Sequence, residues 1–398
     1  MARLVFYSHT ASVSGAEVVL LSILRGLDRN RFMPVVLCPE GALSLACTTE
    51  QVEWVAVPEV KARFTRNPIR LCGYLWSLAA STLFIRRVLR RQKPDLVHAN
   101  TLRAGLVASM ATLGMGVPVL WHIHDILPSH AFTTLIRGMA KRLNMISLLA
   151  VSQATAKSFR GTGKKALNKP VEVVYNSVDV DRYFPDAVAR ERMRRELGLR
   201  EDQIAVGVVG QITPRKGLIE LVEAFAQIYA RMPQAVLVLV GEALFNEANL
   251  VYARQIRERV EQLDLTRQVW LVGAKKDIAA VMNAVDLLAQ NSLVEPLGLA
   301  LMEGFACGRT AAATGVDGVL EIIDDGRTGL LAPLGDTAEL ARKIEVLINQ
   351  PELRARMGEA ARQKMIEGFT PAQQMRQMHS LYERLVRPAN RAKTERPQ

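Results

Sequence analysis

Along the whole chain, short runs of β-branched and apolar residues alternate with longer stretches whose apolar positions recur every three to four residues. In the first half, RLVFYS, MPVVLC, VEWVAV, DLVHAN, VPVLWHIH and LLAVS have the length and composition of buried strands. Between them, GAEVVLLSILRGL, LCGYLWSLAASTLFIRRVLRR and LRAGLVASMATLG carry the helical period. The second half repeats the pattern. IAVGVVG, AVLVLVG, QVWLVG, VDLLAQNS, TAAATG and TGLLAP read as strands, and LIELVEAFAQIYARM, ANLVYARQIRERVEQLD and LGLALMEGFACG as helices. Such alternation implies parallel sheets flanked by helices, the α/β class. One stretch breaks the rhythm. YNSVDVDRYFPDAVARERMRRELGLREDQ is dense in charge, poor in β-branched residues and contains Pro185, so it predicts a linker followed by a helix. Two doubly wound domains of similar size are expected, residues 1–185 and 200–369, with a frayed polar tail at 389–398.

Length agrees with two domains, since 398 residues exceed what one hydrophobic core usually supports. An apolar fraction of 49% and a charged fraction of 23% belong to a globular chain and exclude a disordered one. The four cysteines, Cys38, Cys47, Cys72 and Cys307, are scattered without a C-x-x-C pair, which suits a reducing cytoplasm and argues against a disulfide framework or a zinc site. The opening MARLVFYSHT reads as a first strand and not a signal peptide.

Charge adds a local feature. Of a net charge of +12, residues 61–93 contribute nine Lys or Arg and no acid. Within them, Leu71 to Ile85 is an uncharged stretch of fifteen residues carrying Tyr74, Trp76 and Phe84, shorter than the roughly 18 to 20 residues of a membrane span. Arg86, Arg87, Arg90 and Arg91 follow at helical spacing, which places them on one side of a helix. An internal helix with a solvated basic end and an interfacial helix held to anionic lipid both fit this pattern. Nucleic-acid binding fits less well, because aromatic and basic residues do not interleave.

Open parallel sheets bind ligands beyond the carboxyl ends of their strands, so the loops after each strand hold the candidate chemistry. In VVGQITPRKGLIELVEAF, Arg215 and Lys216 stand at a helix entrance where free N–H groups already favour an anion, so a diphosphate fits. A solubilising surface turn fits equally. SVSGAEVVLLSIL sets Gly15 just before another helix. HIHD places His122 and His124 on one face of a strand end beside Asp125, and without a carboxylate cluster no metal site is implied. NSLVEPLGLALMEGFACG sets Glu295 at a strand's carboxyl end and Glu303 eight positions on, in a helix expected to begin near Leu297 or Gly298. A carboxylate there is a natural partner for a ribose diol.

Taken together these motifs resemble glycosyltransferase family 4, retaining enzymes of the GT-B fold, over nearly the whole chain. The sharpest mark is the E-x7-E pair Glu295 and Glu303. SGAEVVLLSILRGL, GVPVLWHIHD, AVSQATAKSF, VVYNSVDVDRYFP, TPRKGLIELVEAFA and DDGRTGLLAPLGD surround it in the family's order. The resemblance implies an α/β GT-B molecule, two Rossmann-like doubly wound domains facing a central cleft, with the first binding the acceptor and the second the nucleotide-sugar. It also implies that a C-terminal helix near 370–388 returns to the first domain. Arg215 and Lys216 would hold the donor diphosphate. Glu295 and the backbone of Pro296, Leu297, Gly298 and Leu299 would hold the sugar. Glu303 would bind the ribose, Gly15 would admit the phosphates, and His124 would lie near the transferring sugar. Neither cofactor nor metal is implied.

Three positions depart from the family. Gln211 stands where an arginine is usual, Arg309 and Thr310 follow ACG in place of a residue and a proline, and Asp317-Gly318 replaces a glycine pair. The D-x-D triplet Asp179-Val180-Asp181 falls at the family's N-G-V-D position and reads as structural. The leading expectation is a metal-independent hexosyltransferase at the cytoplasmic membrane face, acting on a lipid-linked or polysaccharide acceptor, with residues 61–93 against anionic lipid. A non-catalytic sugar-nucleotide-binding relative in a glycan-assembly complex is the alternative. A nicotinamide-dependent oxidoreductase fits poorly, because no G-x-G-x-x-G follows the first strand, and GTGKK at 161–165 fails the phosphate-loop spacing.

Overall fold

A computed structural model describes residues 1–60, 68–127, 131–143, 145–162, 166–244 and 247–394, with the backbone alone at 68–72, 75, 131, 132 and 387–394. The chain divides into two compact units, Met1–Ser177 with Pro371–Gln398, and Val178–Thr370. In the first unit, β1 (Ala2–Tyr7), β2 (Phe32–Cys38), β3 (Glu53–Ala56), β4 (Leu96–Ala99), β5 (Val119–Ile123), β6 (Ile146–Ala150) and β7 (Glu172–Val173) form one sheet in the order β3-β2-β1-β4-β5-β6-β7. In the second, β8 (Ile204–Val209), β9 (Ala235–Val240), β10 (Val269–Gly273), β11 (Leu287–Gln290), β12 (Ala311–Thr314) and β13 (Leu330–Ala332) follow the order β10-β9-β8-β11-β12-β13. All these pairings are parallel.

The strand order reverses beside β1 in one sheet and beside β8 in the other. At such switch points the outgoing loops diverge and leave a crevice. The continuous apolar runs reflect burial on both faces, as in β9, whose six residues AVLVLV are all buried. Against the second sheet packs the helix Leu218–Arg231, whose buried Leu218, Leu221, Val222, Phe225 and Ile228 repeat at helical spacing. Each such large side chain contributes roughly 1.5–3 kcal/mol by leaving water.

The division falls at Ser177–Val178, upstream of the expected 185–200, and the hydrogen bonds explain it. Val178 N donates to Phe369 O (2.8 Å), and Asp186 N to the Asn283 side chain (3.0 Å). Arg190 and Arg194 both bind Asp286 (2.6 and 3.3 Å), whose carboxylate also caps Ala205 N (2.7 Å). The charged segment therefore belongs to the second unit instead of acting as a free linker. Its Asp179 closes a local turn, accepting from Asp181 N (3.1 Å) and Arg182 N (3.2 Å). The last helix, Pro371–Thr394, is part of the first unit. There Tyr382 lies against Phe6, and His379 stacks on Phe32 with centroids 5.7 Å apart.

The helix Pro68–Gln92 buries Ser81, Ile85 and Leu89 and exposes Trp76, Leu83 and Phe84. The four arginines near its end, Arg86, Arg87, Arg90 and Arg91, do not share one environment. Arg86 is half-buried and donates to Ala111 O (2.8 Å) and Leu113 O (2.7 Å), closing the end of the helix Leu102–Thr112, whereas Arg87, Arg90 and Arg91 are exposed. Lys61, Arg63 and Arg66 lie outside the described residues, as do Gly163, Lys164 and Lys165 of the GTGKK stretch and the last four positions of the tail. No helix among the described residues is long and apolar enough to cross a membrane.

Candidate functional site

The second unit gathers its candidate residues at the carboxyl ends of β8 and β11. After β8 the chain passes Gly210 and Gln211 and makes one 3-10 turn, Pro214–Lys216, before the helix Leu218–Arg231. After β11 it runs through Asn291, Ser292 and Glu295 to Gly298, which has φ 103° and caps the helix Leu299–Ala306. That helix starts one to two residues later than expected. The two loops interlock. Leu293 N donates to Arg215 O (2.8 Å) and Asn291 Nδ2 to Gly217 O (2.8 Å). Gly217 is required here, for its φ is +57° and an added Cβ would stand 2.4 Å from Asn291 O.

The interlock places Lys216 Nζ 2.5 Å from Glu295 Oε2, with both side chains largely buried. Ser292 Oγ donates to the same carboxylate oxygen (3.2 Å), and Ser292 O is fixed by Thr314 Oγ1 (2.8 Å). The Glu295 backbone is held on both sides. Its N–H donates to Asp317 Oδ2 (3.1 Å), and its carbonyl accepts from Gly318 N (3.0 Å). Asp317 adopts φ +42°, the left-handed conformation that a glycine would take without strain. Gly318 lies so close that a Cβ there would meet Pro296 O at 2.2 Å.

Two small cavities adjoin Lys216. One is lined by Val209, Lys216, Gln290, Asn291 and Ala300, the other by Gly210, Gln211, Ile212 and Lys216. Gln290 Nε2, in the wall of the first cavity, is buried without a hydrogen-bond partner, as is Thr213 Oγ1 in the loop after β8. A site that leaves polar groups unsatisfied is built for a polar ligand. Arg215 differs from the expectation, because its side chain is exposed and only its carbonyl joins the interlock. The helix entrance differs too. The N–H groups of Leu218 and Ile219 are not free but donate to Tyr252 Oη (2.8 and 3.2 Å), and those of Lys216 and Gly217 donate to Thr213 O and Pro214 O (3.0 and 3.1 Å).

Glu303 sits on the second turn of the helix Leu299–Ala306, and its Oε1 accepts from Tyr183 Oη (2.9 Å). Burial raises its carboxyl to about 7, against the lowering effect of the Tyr183 hydrogen bond and the Arg182 charge. Pro296, Leu297 and Leu299 line the short path between the two glutamates, Leu297 being buried.

In the first unit, Gly15 opens the helix Gly15–Gly26. The preceding loop is tied by Glu17, whose Oε2 accepts from Ser14 N (3.2 Å) and Ser14 Oγ (2.6 Å) while Oε1 accepts from Ser8 Oγ (3.2 Å). His124 ends a buried file. Tyr382 Oη lies 2.8 Å from His98 Nδ1, His98 Nε2 lies 3.2 Å from His122 Nδ1, and the His122 and His124 rings are 4.0 Å apart. Burial pushes His98 and His124 down to about 3 and His122 well below its usual value, so all three are neutral at neutral pH. His124 can therefore offer a hydrogen bond but not a charge. Among the described residues, no three His, Cys, Asp or Glu side chains group in a way that would hold a metal ion.

Sequence reasoning passed over Tyr183, Gln290, Asn291 and Ser292, because each is an ordinary residue until the fold brings it to a glutamate or a cavity. Only the position of residues 290–292 at a strand's carboxyl end could have signalled them.

Comparison with known proteins agrees with the geometry. Residues 13–182 match the family model described as Glycosyltransferase Family 4, and residues 189–364 the model for Glycosyl transferases group 1. The alpha-maltose-1-phosphate synthase of Mycolicibacterium smegmatis is 29% identical over 76% of this chain and 82% of its own length. The UDP-Gal:alpha-D-GlcNAc-diphosphoundecaprenol alpha-1,3-galactosyltransferase of Escherichia coli is 22% identical over 92% of this chain and 96% of its own. Among solved structures, Anabaena HepE in complex with UDP and glucose superposes with a TM-score of 0.82 at 26% identity, covering 96% of this chain and 100% of that one.

Proposed function

As the chain belongs to glycosyltransferase family 4 and has the GT-B fold, a glycosyltransferase using a nucleotide-sugar donor, we propose that it is a retaining, metal-independent hexosyltransferase acting on a lipid-linked saccharide or polysaccharide. The observation that carries the reading is the Lys216–Glu295 pair, 2.5 Å apart at the switch point of the second sheet, with Lys216 lining two small cavities, one of which holds the unpartnered Gln290 amide. On donor binding, Lys216 turns its charge to the diphosphate, and Glu295 exchanges the ammonium for sugar hydroxyls. The backbone of Pro296, Leu297, Gly298 and Leu299 completes the sugar contacts, and Glu303 takes the ribose. Lys216 then stabilises the charge that grows on the leaving diphosphate as the glycosidic bond breaks, which is where a preorganised cation lowers a barrier most. The acceptor hydroxyl attacks on the face the diphosphate leaves and gives its proton to the departing diphosphate oxygen, so configuration is kept. For Arg215, Gly15 and His124 we propose the roles the family implies. Arg215 joins the diphosphate contacts from the surface, Gly15 admits the phosphates, and His124 hydrogen-bonds the sugar as a neutral imidazole.

The lipid-linked acceptor draws on the diphosphoundecaprenol-linked substrate of the Escherichia coli relative and on the helix Pro68–Gln92. That helix exposes Trp76 at 78%, Leu83 at 58% and Phe84 at 38%, followed by exposed Arg87, Arg90 and Arg91. Apolar wedges beside cations suit the headgroup boundary of an anionic bilayer, here the inner face of the cell membrane. The protein should sediment with phosphatidylglycerol vesicles at low salt and stay in solution with phosphatidylcholine alone. Equal behaviour with both removes the membrane part. The non-catalytic alternative has Gln211 and the Arg309–Thr310 departure in its favour. Sugar transfer or donor hydrolysis by the purified protein, abolished in Glu295→Gln, decides against it, and binding without turnover decides for it.

A further inference from the structure

Tyr183 lies in the VVYNSVDVDRYFP stretch, to which no donor contact is assigned, and its placement is fixed from several directions. Its N–H donates to Asp179 O (2.8 Å), its carbonyl accepts from Arg362 Nη1 (3.2 Å), and its ring is buried with the Arg182 guanidinium 5.4 Å from the centroid. Arg362 also donates to Ala306 O at the end of the helix that carries Glu303. One guanidinium thus ties the tyrosine and that helix together. The only polar atom of the side chain then donates to Glu303 Oε1 at 2.9 Å, and among the described residues Oε2 receives no hydrogen bond.

We propose that Tyr183 is a positioning residue for the nucleoside diphosphate, its hydroxyl orienting the Glu303 carboxylate so that Oε2 accepts from the ribose diol. The inference rests on the donor reading above and adds to it a residue and a pH dependence. A carboxylate accepts two ribose hydroxyls only when ionised. A hydrogen bond donated to the carboxylate favours that form against the burial that opposes it. The charged and titratable groups around Glu303 are few. Arg182 and Tyr183 approach from the segment before the helix Ala187–Leu197, and Arg362 from the helix Pro351–Gly368. On its own helix Cys307 follows, a thiol pushed up to about 12 by burial and so neutral. None of these changes charge near neutral pH, so the carboxyl titrates alone.

The test is calorimetric titration of the β-methyl esters of UDP, ADP and GDP, whose esterified diphosphates have no ionisation in the range used, into the whole protein and into Tyr183→Phe, from about pH 5.5 to about pH 9. Wild-type affinity for the nucleotide it binds should rise with pH to a plateau, with a midpoint set by Glu303. In Tyr183→Phe the midpoint should move up by about one pH unit, a several-fold loss at neutral pH that shrinks to within about twofold at the alkaline end. With the 2′,3′-dideoxy form of that nucleotide, the wild type should lose the pH dependence, an arm that stands even if the variant does not fold. Superimposable profiles for the two proteins, or an equal loss at every pH, overturn the inference and leave the donor reading intact. A wild-type dideoxy profile that keeps its pH dependence overturns it as well. No binding of any of the three nucleotides to the wild type overturns both.

Discussion

Lys216 and Glu295 hold each other in a largely buried position, and removing one partner strands the other. Lys216→Ala should cost about 2–4 kcal/mol by equilibrium unfolding, while the double variant with Glu295→Ala should recover part of that loss and none of the transfer activity. Asp317 makes a narrower prediction. Its left-handed backbone suits Asn, which also keeps an acceptor for Glu295 N–H, so Asp317→Asn should stay within about 0.5 kcal/mol of wild type. Asp317→Val, which clashes in that conformation and loses the acceptor, should cost about 2 kcal/mol. Glu303 works against stability. Its carboxyl is raised to about 7 from the usual range, so the stabilisation present when it is protonated is lost as the pH climbs from about 4.5 through about 7. Glu303→Gln should therefore match wild type near pH 5 and gain about 1–2 kcal/mol near pH 8, the opposite of what a favourable carboxylate would show. The two glutamates and Lys216 were legible in the sequence because their types and spacing match a strand end followed by a helix. Tyr183 was not, because a hydrogen bond across 120 residues leaves no periodic trace, while Asp317 showed only as a departure from a glycine pair, a position whose positive φ a glycine would suit.

At the scale of elements, the long buried strands were readable, since runs of Val, Ile and Leu bounded by turn residues pack well only as strands covered on both faces. Helices that pack through small or scattered residues were not. Pro351–Gly368 buries Met357, Gly358, Ala361 and Met365 and shows charge almost everywhere else, and Gln153–Arg160 buries only Thr155, Ala156 and Phe159. The file His98, His122 and His124 was visible only as two strand-end histidines, because Tyr382 reaches it from a helix 284 residues further along the chain. That file gives β4 and β5 a pH response. The imidazoles are depressed well below their unfolded value, so the stability they lend is full above about pH 6.5 and declines as the pH falls below it. Hydrogen exchange at His98 and His122 should report a loss of about 2 kcal/mol per histidine by pH 5. Equal protection at pH 5 and pH 8 would mean that the histidines are not neutral in the folded unit.

For the whole molecule, both sheets run parallel with a reversal beside their first strands, so the fold offers crevices at places fixed by chain order before any side chain is chosen. Side chains distinguish the crevices, and the second unit brings Lys216, Glu295 and the unpartnered buried Gln290 amide together at its switch point, which is why the donor is proposed to bind there. In the proposed function, the overall charge of +12 and the exposed Trp76 and Phe84 of Pro68–Gln92 bear on where the protein works, and the Lys216–Glu295 pair on what it does. The most direct measurement is thermal unfolding of wild type and Glu295→Gln against a panel of nucleotide-sugars. One donor should raise the wild-type midpoint by several degrees through binding to the folded state, and Glu295→Gln should lose most of the shift. A panel that stabilises neither protein, or that stabilises both equally, would contradict a donor site built on Glu295.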